Sequence, residues 1–261
     1  MIKYYSIGGL NFRFDSDSEI ADSSLYSEFY SEKGGDDICV RVIEGKLPQI
    51  DDGRYASYDE QKGKNVFACR RRLDSRNYEL FVDYPKGLWD SMLFYGFYLP
   101  GVLVENNRIL LHCSYIIFNG EAVLFSGNKQ VGKSTQASLW EKYRGAKVVN
   151  GDRAVVYVEN GRMYAAGTPF CGSSNIALNI TAPVKAVVFP VQSEHNETNE
   201  IKDKSTSLLL LMNQFTFDNN QYLSAFDIAK KITDTVPFYY LDCKIDEGAV
   251  ETLESVLWKK K

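Results

Sequence analysis

The chain has 261 residues, a net charge of −4, 44% hydrophobic and 25% charged residues, and a pI near 5.4. That length can bury a full core as one large or two small domains, and the acidic balance leaves no basic footprint for nucleic acid. No apolar run approaches the roughly 18 residues that span a bilayer, and residues 1–14 carry no leader pattern, so an unprocessed cytoplasmic protein without a membrane partner is expected.

From residue 1 to about 76, strand-like pieces at 4–14, 38–43 and 65–71 alternate with polar joints at 33–37 and 51–53, so this part reads as β-rich. The tripeptide Arg70-Arg71-Arg72 reads as the solvated face of a strand, and Lys259-Lys260-Lys261 as the positive complement of a helix C-terminus. Residues 78–82 suit one more strand. Residues 88–97 are aromatic and apolar at helical spacing until Pro100 interrupts them. Trp89, Phe94, Tyr95, Phe97 and Tyr98 are expected in a core or a seam between domains, with a boundary near residue 105.

The second half is better marked. Asn119-Gly120 lies between 109–118 and 121–125, and Asn160-Gly161 lies between 154–159 and 162–166; each predicts a two-residue hairpin turn. Between the hairpins stand an expected helix at 134–143 and an apolar piece at 147–149. Beyond them come a strand at 184–191, helices at 205–215 and 221–233, and a strand at 237–244. A final helix, capped by Asp246, should bury Ala249, Val250, Leu253 and Leu257. The five cysteines are widely spaced and form no C-x-x-C pair, which points away from disulfides and zinc; Cys113 and Cys171 are read as small buried hydrophobes.

One motif dominates. Gly127-Asn128-Lys129-Gln130-Val131-Gly132-Lys133-Ser134-Thr135 matches the phosphate-cradling pattern G-x-x-x-x-G-K-[ST] and follows the strand-like piece 122–125. Bare glycines let backbone N–H groups turn toward an anion, the helix after the loop adds its positive end, Lys133 reaches the outer phosphates, and the Ser134 hydroxyl suits Mg²⁺. The ligand expected is a nucleoside triphosphate.

Hairpin arithmetic places further groups near this loop. A turn at Asn119-Gly120 sets His112 opposite Gly127, where an imidazole could move a proton or stabilise charge, or could be an ordinary strand residue. A turn at Asn160-Gly161 sets Arg153 opposite Thr168. Asp152 follows Lys133 by about one helix and one strand, as a metal-supporting carboxylate or proton acceptor should, although Asn150-Gly151-Asp152 is also turn composition. The loop 167–174, with Thr168, Ser173 and Ser174, offers hydroxyls and N–H groups to an anion or a substrate backbone, or makes a plain turn.

Leu111-His112-Cys113-Ser114, the loop 127–135 and Asn150-Gly151-Asp152-Arg153 together resemble the core of the HPr kinase/phosphorylase family, whose nucleotide fold is similar to that of phosphoenolpyruvate carboxykinase. An antiparallel hairpin feeding the loop strand agrees with this, where ordinary P-loop enzymes use a parallel βαβ unit. The resemblance covers roughly residues 108–258 and implies an α/β fold with a mixed sheet. The corresponding domains are a β-rich region at 1–105 without an assigned role and a kinase-like nucleotide core at 106–261. It implies ATP- and Mg²⁺-dependent transfer of the γ-phosphoryl group to a serine-type hydroxyl on a protein or peptide. Lys133 would hold the β/γ-phosphates, Ser134 and Asp152 the metal, and His112 would assist proton movement. Two departures stand out: Gly151 precedes Asp152 where the family commonly has a second acid, and no counterpart exists of the Gly/Arg/Asn-rich segment tied to dephosphorylation. Competing readings are an ATP-binding scaffold without turnover and a small-molecule kinase of carboxykinase-like fold; a homo-oligomer is left open.

Overall fold

The structure is a computed structural model and describes residues 1–32, 35–59, 64–84 and 87–258; for residues 58, 59, 64 and 65 only the backbone is described. Lys259-Lys260-Lys261 and part of the 33–37 joint lie outside the described residues. The chain divides into two compact units, Met1–Val102 and Leu103–Lys261.

The first unit is built on β1 (Ile2–Ile7), β2 (Leu10–Asp15), β3 (Ile20–Ala21), β4 (Tyr30–Ser31), β5 (Ile38–Glu44), β6 (Arg54–Asp59), β7 (Lys64–Arg72), β8 (Asn77–Val82), β9 (Leu88–Trp89) and helix α1 (Asp90–Phe97). Seven of these strands form one sheet in the order β4-β1-β2-β5-β8-β7-β6, and β3 pairs with β9. The expected single piece at 4–14 is a hairpin: Gly8 and Gly9 take φ of 63° and 73° and reverse the chain, so that Ile7 pairs with Leu10. Glycines tolerate that left-handed backbone at both central positions, and the strand pattern on either side hid the turn. Phe94 and Phe97 of α1 pack edge-on against Phe12 and Phe14, which alternate inward on β2. Trp89 and Tyr95 remain exposed.

Two further expectations fail here. Arg70 is not on a solvated face: it is 7% exposed, lies over the Tyr78 and Phe97 rings, and donates to the Phe97 carbonyl. A guanidinium is weakly hydrated enough to be stacked and buried in this way, which a count of charges does not reveal. Nor does Pro100 end the helical stretch. Tyr98 does, with a left-handed φ of 54°, and Pro100 sits in the first turn of α2 (Leu99–Glu105), where its missing N–H costs nothing.

The second unit contains β10 (Arg108–Phe118), β11 (Glu121–Ser126), α3 (Lys133–Arg144), β12 (Lys147–Asn150), β13 (Arg153–Glu159), β14 (Arg162–Ala166), β15 (Thr181–Gln192), β16 (Glu197–Glu200), α4 (Lys204–Met212), β17 (Phe215–Thr216), α5 (Tyr222–Thr233), β18 (Phe238–Cys243) and α6 (Glu247–Leu257). Its sheet runs β11-β10-β13-β14-β15-β18-β16, with β12 and β17 also on β10, and it closes on itself because β11 pairs in parallel with β15. Both Asn-Gly turns form the expected hairpins, with Phe118 paired to Glu121 and Glu159 to Arg162. One core packs inward residues of the sheet such as Leu111, Leu124 and Val156 against Leu211, Ile228 and Ile232 from α4 and α5. Another packs Val123, Phe125 and Val188 against Ala137 and Trp140 of α3 and Val250 and Leu253 of α6. The Asp246 carboxylate accepts from the Ala249 N–H at the start of α6, and Ala249, Val250, Leu253 and Leu257 are buried.

The chain is thus mixed α/β with mixed sheets. The helix expected at 205–215 stops at Met212, because Phe215 and Thr216 leave it to pair with Leu111 and Leu110 of β10. No helix among the described residues is long and apolar enough to cross a membrane.

Candidate functional site

The loop 127–132 leaves the end of β11 and enters α3 with three left-handed residues, Gly127 at φ 133°, Gln130 at 68° and Gly132 at 105°. A Cβ at Gly127 would press within 3.2 Å of Val131, so both the angle and the space favour glycine there. Lys133, 8% exposed, turns back over the loop and donates to the Gly127 and Asn128 carbonyls at 2.9 and 2.8 Å. Burial holds its pKa below the ordinary lysine value, against the raising influence of Cys113 and Asp152. Two of the three ammonium N–H groups are used, which leaves one for an incoming anion.

Asn150, fully buried, sets the next part. Its side-chain oxygen accepts from the Asp152 and Arg153 N–H groups at 2.9 Å each, and its amide donates to the Thr168 carbonyl. That turn aims the Gly151 carbonyl at α3: the Ser114 hydroxyl donates to it at 3.0 Å, and the Ser134 hydroxyl lies 3.4 Å from it and 3.3 Å from Ser114. The next residue, Asp152, brings Oδ1 to 3.4 Å from His112 Nε2 and Oδ2 to 3.2 Å from Arg153 Nε. The His112 hydrogen bond, helped by the Arg153 charge, holds the Asp152 carboxyl below its ordinary pKa against the opposing effect of burial.

The first hairpin ladder runs in the expected register as far as Cys113 and Ser126. There it ends, because Gly127 swings away; the Ser126 hydroxyl then donates to the His112 carbonyl at 2.9 Å and keeps the two segments together. The second register is broken sooner. Its ladder stops at Val155 and Ala166, Arg153 pairs instead with His112 of β10, and Gly167 turns to donate to the Ile180 carbonyl. Arg153 therefore does not face Thr168. Its guanidinium donates to the Thr216 hydroxyl at 2.9 Å. Thr168 is fully buried and accepts from the Phe170 N–H at 3.1 Å, which braces its own loop.

The rest of that loop packs against the Asn150–Asp152 turn. A Cβ at Gly172 would meet the Asp152 carboxylate carbon at 3.0 Å, and one at Gly151 would meet Ser174 at 2.5 Å. Ser173 and Ser174 are both exposed, and the Ser174 hydroxyl donates to the Cys171 carbonyl. Cys113 and Cys171 are buried, and burial raises both thiols above the ordinary value.

Gln214 went unnoticed in the sequence. It is 8% exposed, its carbonyl accepts from the His112 N–H at 2.9 Å, and its amide donates to Asn128 Oδ1 at 3.1 Å. One residue thus touches both the imidazole's strand and the phosphate loop. A cavity of about 300 Å³ adjoins the loop, lined by residues 130–136 on one side and Gln192, Cys243, Lys244 and Ile245 on the other.

No protein-family model matches the chain, and no curated protein matches it. Among solved structures, the HPr(Ser) kinase/phosphatase from Coxiella burnetii is similar over 57% of this chain and 87% of its own length, at 12% identity and a TM-score of 0.35.

Proposed function

We propose that the chain is an ATP-dependent kinase that moves a γ-phosphoryl group to a serine-type hydroxyl on a protein or peptide, with residues 103–261 as the nucleotide-binding core. The observation that carries this reading is the paired His112 and Asp152, one residue beyond the carbonyl that Ser114 and Ser134 hold at the start of α3. A phosphate loop alone fits any triphosphate binder. An imidazole and an ionised carboxylate beside it add a means of accepting and relaying the acceptor's proton.

The residues present fit Mg²⁺ with a triphosphate: a hydroxyl and a carboxylate are the oxygen ligands a hard cation takes, and left-handed residues at 127, 130 and 132 are the kind of backbone that can turn N–H groups toward phosphate oxygens. Ser134 and Asp152 would hold the metal, whose charge neutralises the β- and γ-oxygens when it is bound. Lys133 fixes the outer phosphates with its remaining N–H. His112, donating Nε2–H to the Asp152 carboxylate, steadies it and assists proton movement through its other ring nitrogen, while Arg153, anchored by Thr216, and the exposed Ser173 are assigned to the acceptor side. Positioning and charge stabilisation supply most of the catalysis in such a transfer, so this small set is sufficient chemistry.

The test is incubation with γ-labelled ATP, Mg²⁺ and a lysate of the source cell. A labelled protein or peptide that vanishes with Asp152→Asn is the expected result. Tight ATP binding with no label in any fraction would instead favour the scaffold reading.

A further inference from the structure

We infer that His195, Glu197 and Asp242 form a binding site for one divalent transition-metal cation, with Zn²⁺ as the probe that best matches their chemistry. The site stands apart from the phosphate loop and does not depend on the kinase reading.

The three side chains meet at one edge of the second sheet. Glu197 of β16 and Asp242 of β18 are directly opposite partners in an antiparallel ladder, and His195 stands in the segment that joins β15 to β16. One donor atom from each, an imidazole nitrogen and two carboxylate oxygens, lie within 4.8 Å of one another, and His195 Nε2 is 3.7 Å from Glu197 Oε2. Donors that share a cation at about 2.1 Å lie about 3–3.5 Å apart. A small inward turn of side chains that are exposed or half-buried therefore completes the set.

Charge and orientation both point to a cation. Like charges directly opposite each other weaken a ladder, and among the described residues neither carboxylate has a lysine or arginine as ion-pair partner. A cation between them turns that repulsion into a clasp on the edge strand. Ser193 Oγ stands 3.0 Å from His195 Nδ1, and as acceptor of the Nδ1–H it leaves the lone pair on Nε2, the nitrogen 3.7 Å from Glu197. The segment carrying the imidazole is tied to the residues after β18. Asn196 donates to the Asp246 carboxylate and accepts from the Lys244 N–H, both at 2.8 Å, and the Ser193 N–H donates to the Cys243 carbonyl. One nitrogen with two carboxylates suits Zn²⁺ and its first-row neighbours, whereas Mg²⁺ takes oxygen ligands, and three protein ligands leave the remaining positions to water. The site contains no cysteine, so cysteine spacing gave no sign of it.

Calorimetric titration of the whole, tag-free chain with Zn²⁺, in the presence of excess Mg²⁺, tests the site, together with thermal unfolding in Zn²⁺ and in chelator. The wild type should bind one Zn²⁺, and its unfolding midpoint should rise with Zn²⁺. His195→Ala and Asp242→Asn, at positions outside both cores, should each weaken Zn²⁺ at least about tenfold and lose that rise. Ser193→Ala, which frees the ring but keeps the ligands, should weaken Zn²⁺ by about tenfold with the stoichiometry unchanged. Asp152→Asn, beside the phosphate loop, should bind Zn²⁺ as the wild type does. No Zn²⁺ binding by the wild type, or binding and a midpoint shift that His195→Ala leaves unchanged, overturns the site. So does loss of Zn²⁺ binding in Asp152→Asn, which would put the ion beside the phosphate loop instead.

Discussion

A Cβ at Gly151 would stand 2.5 Å from both the Cβ and the Oγ of Ser174, so the position that could have carried a second acid has no room for any side chain. Gly151→Ala should cost about 1–3 kcal/mol in denaturant unfolding, and Ser174→Gly should relieve most of that cost in the double variant. An equal cost in both backgrounds would mean that Ser174 is not the obstacle. Asp152, left as the single carboxylate, also sets a pH dependence. Its folded pKa is lowered from 3.8, chiefly by the His112 hydrogen bond, so its stabilising contribution is complete above pH 3.8 and is lost as pH falls through the lower folded value. The stability difference between wild type and Asp152→Asn should therefore be level from about pH 5 upward and shrink below about pH 4 in urea titrations. Growth of that difference on acidification would contradict the assigned partner. The sequence displayed Gly151, His112 and Asp152 plainly. The space that forbids an acid at 151 comes from residues more than twenty positions away and left no local mark.

The two Asn-Gly turns were legible because their type demands left-handed residues at both positions, and Asn119 and Asn160 take φ of 51° each. The phosphate loop was legible for a similar reason, since its glycines answer a backbone requirement. Elements decided by distant partners were not. Strand β16 has the sequence Glu-Thr-Asn-Glu and no apolar alternation, and it exists because β18 offers its edge. The turn after α4 is the costlier omission, as a polar residue at a helix end carries no signal of its own. Through Gln214 that turn holds Asn128 of the loop and the backbone of His112. Gln214→Ala keeps the backbone bond and removes the side-chain tie, so ATP binding should weaken by about five- to tenfold with little change in maximal turnover. A fall in turnover at saturating ATP with unchanged affinity would instead assign Gln214 to the chemical step.

At the scale of the molecule, each compact unit has its own sheet and its own buried side chains, the first around Phe12, Phe14, Phe94 and Phe97 and the second in two layers about its closed sheet. A fragment of residues 99–261 should then unfold cooperatively and bind ATP within about threefold of the whole chain, as an independent domain does. Alternating strand-like pieces foretold a β-rich first part, and hairpin and helix signals a mixed second part, but the pairing of β11 with β15, which closes the second sheet, joins segments some sixty residues apart and lay beyond any local pattern. The most direct test of the proposed chemistry is ATP binding and phosphoryl transfer measured side by side for wild type, Lys133→Ala and Asp152→Asn. Lys133→Ala should lose binding, and Asp152→Asn should still bind ATP, weakened by the charge it no longer offers Mg²⁺, yet transfer at least about 100-fold more slowly even at saturating ATP. Transfer at the wild-type rate by Asp152→Asn would remove the carboxylate from the reaction and the kinase reading with it.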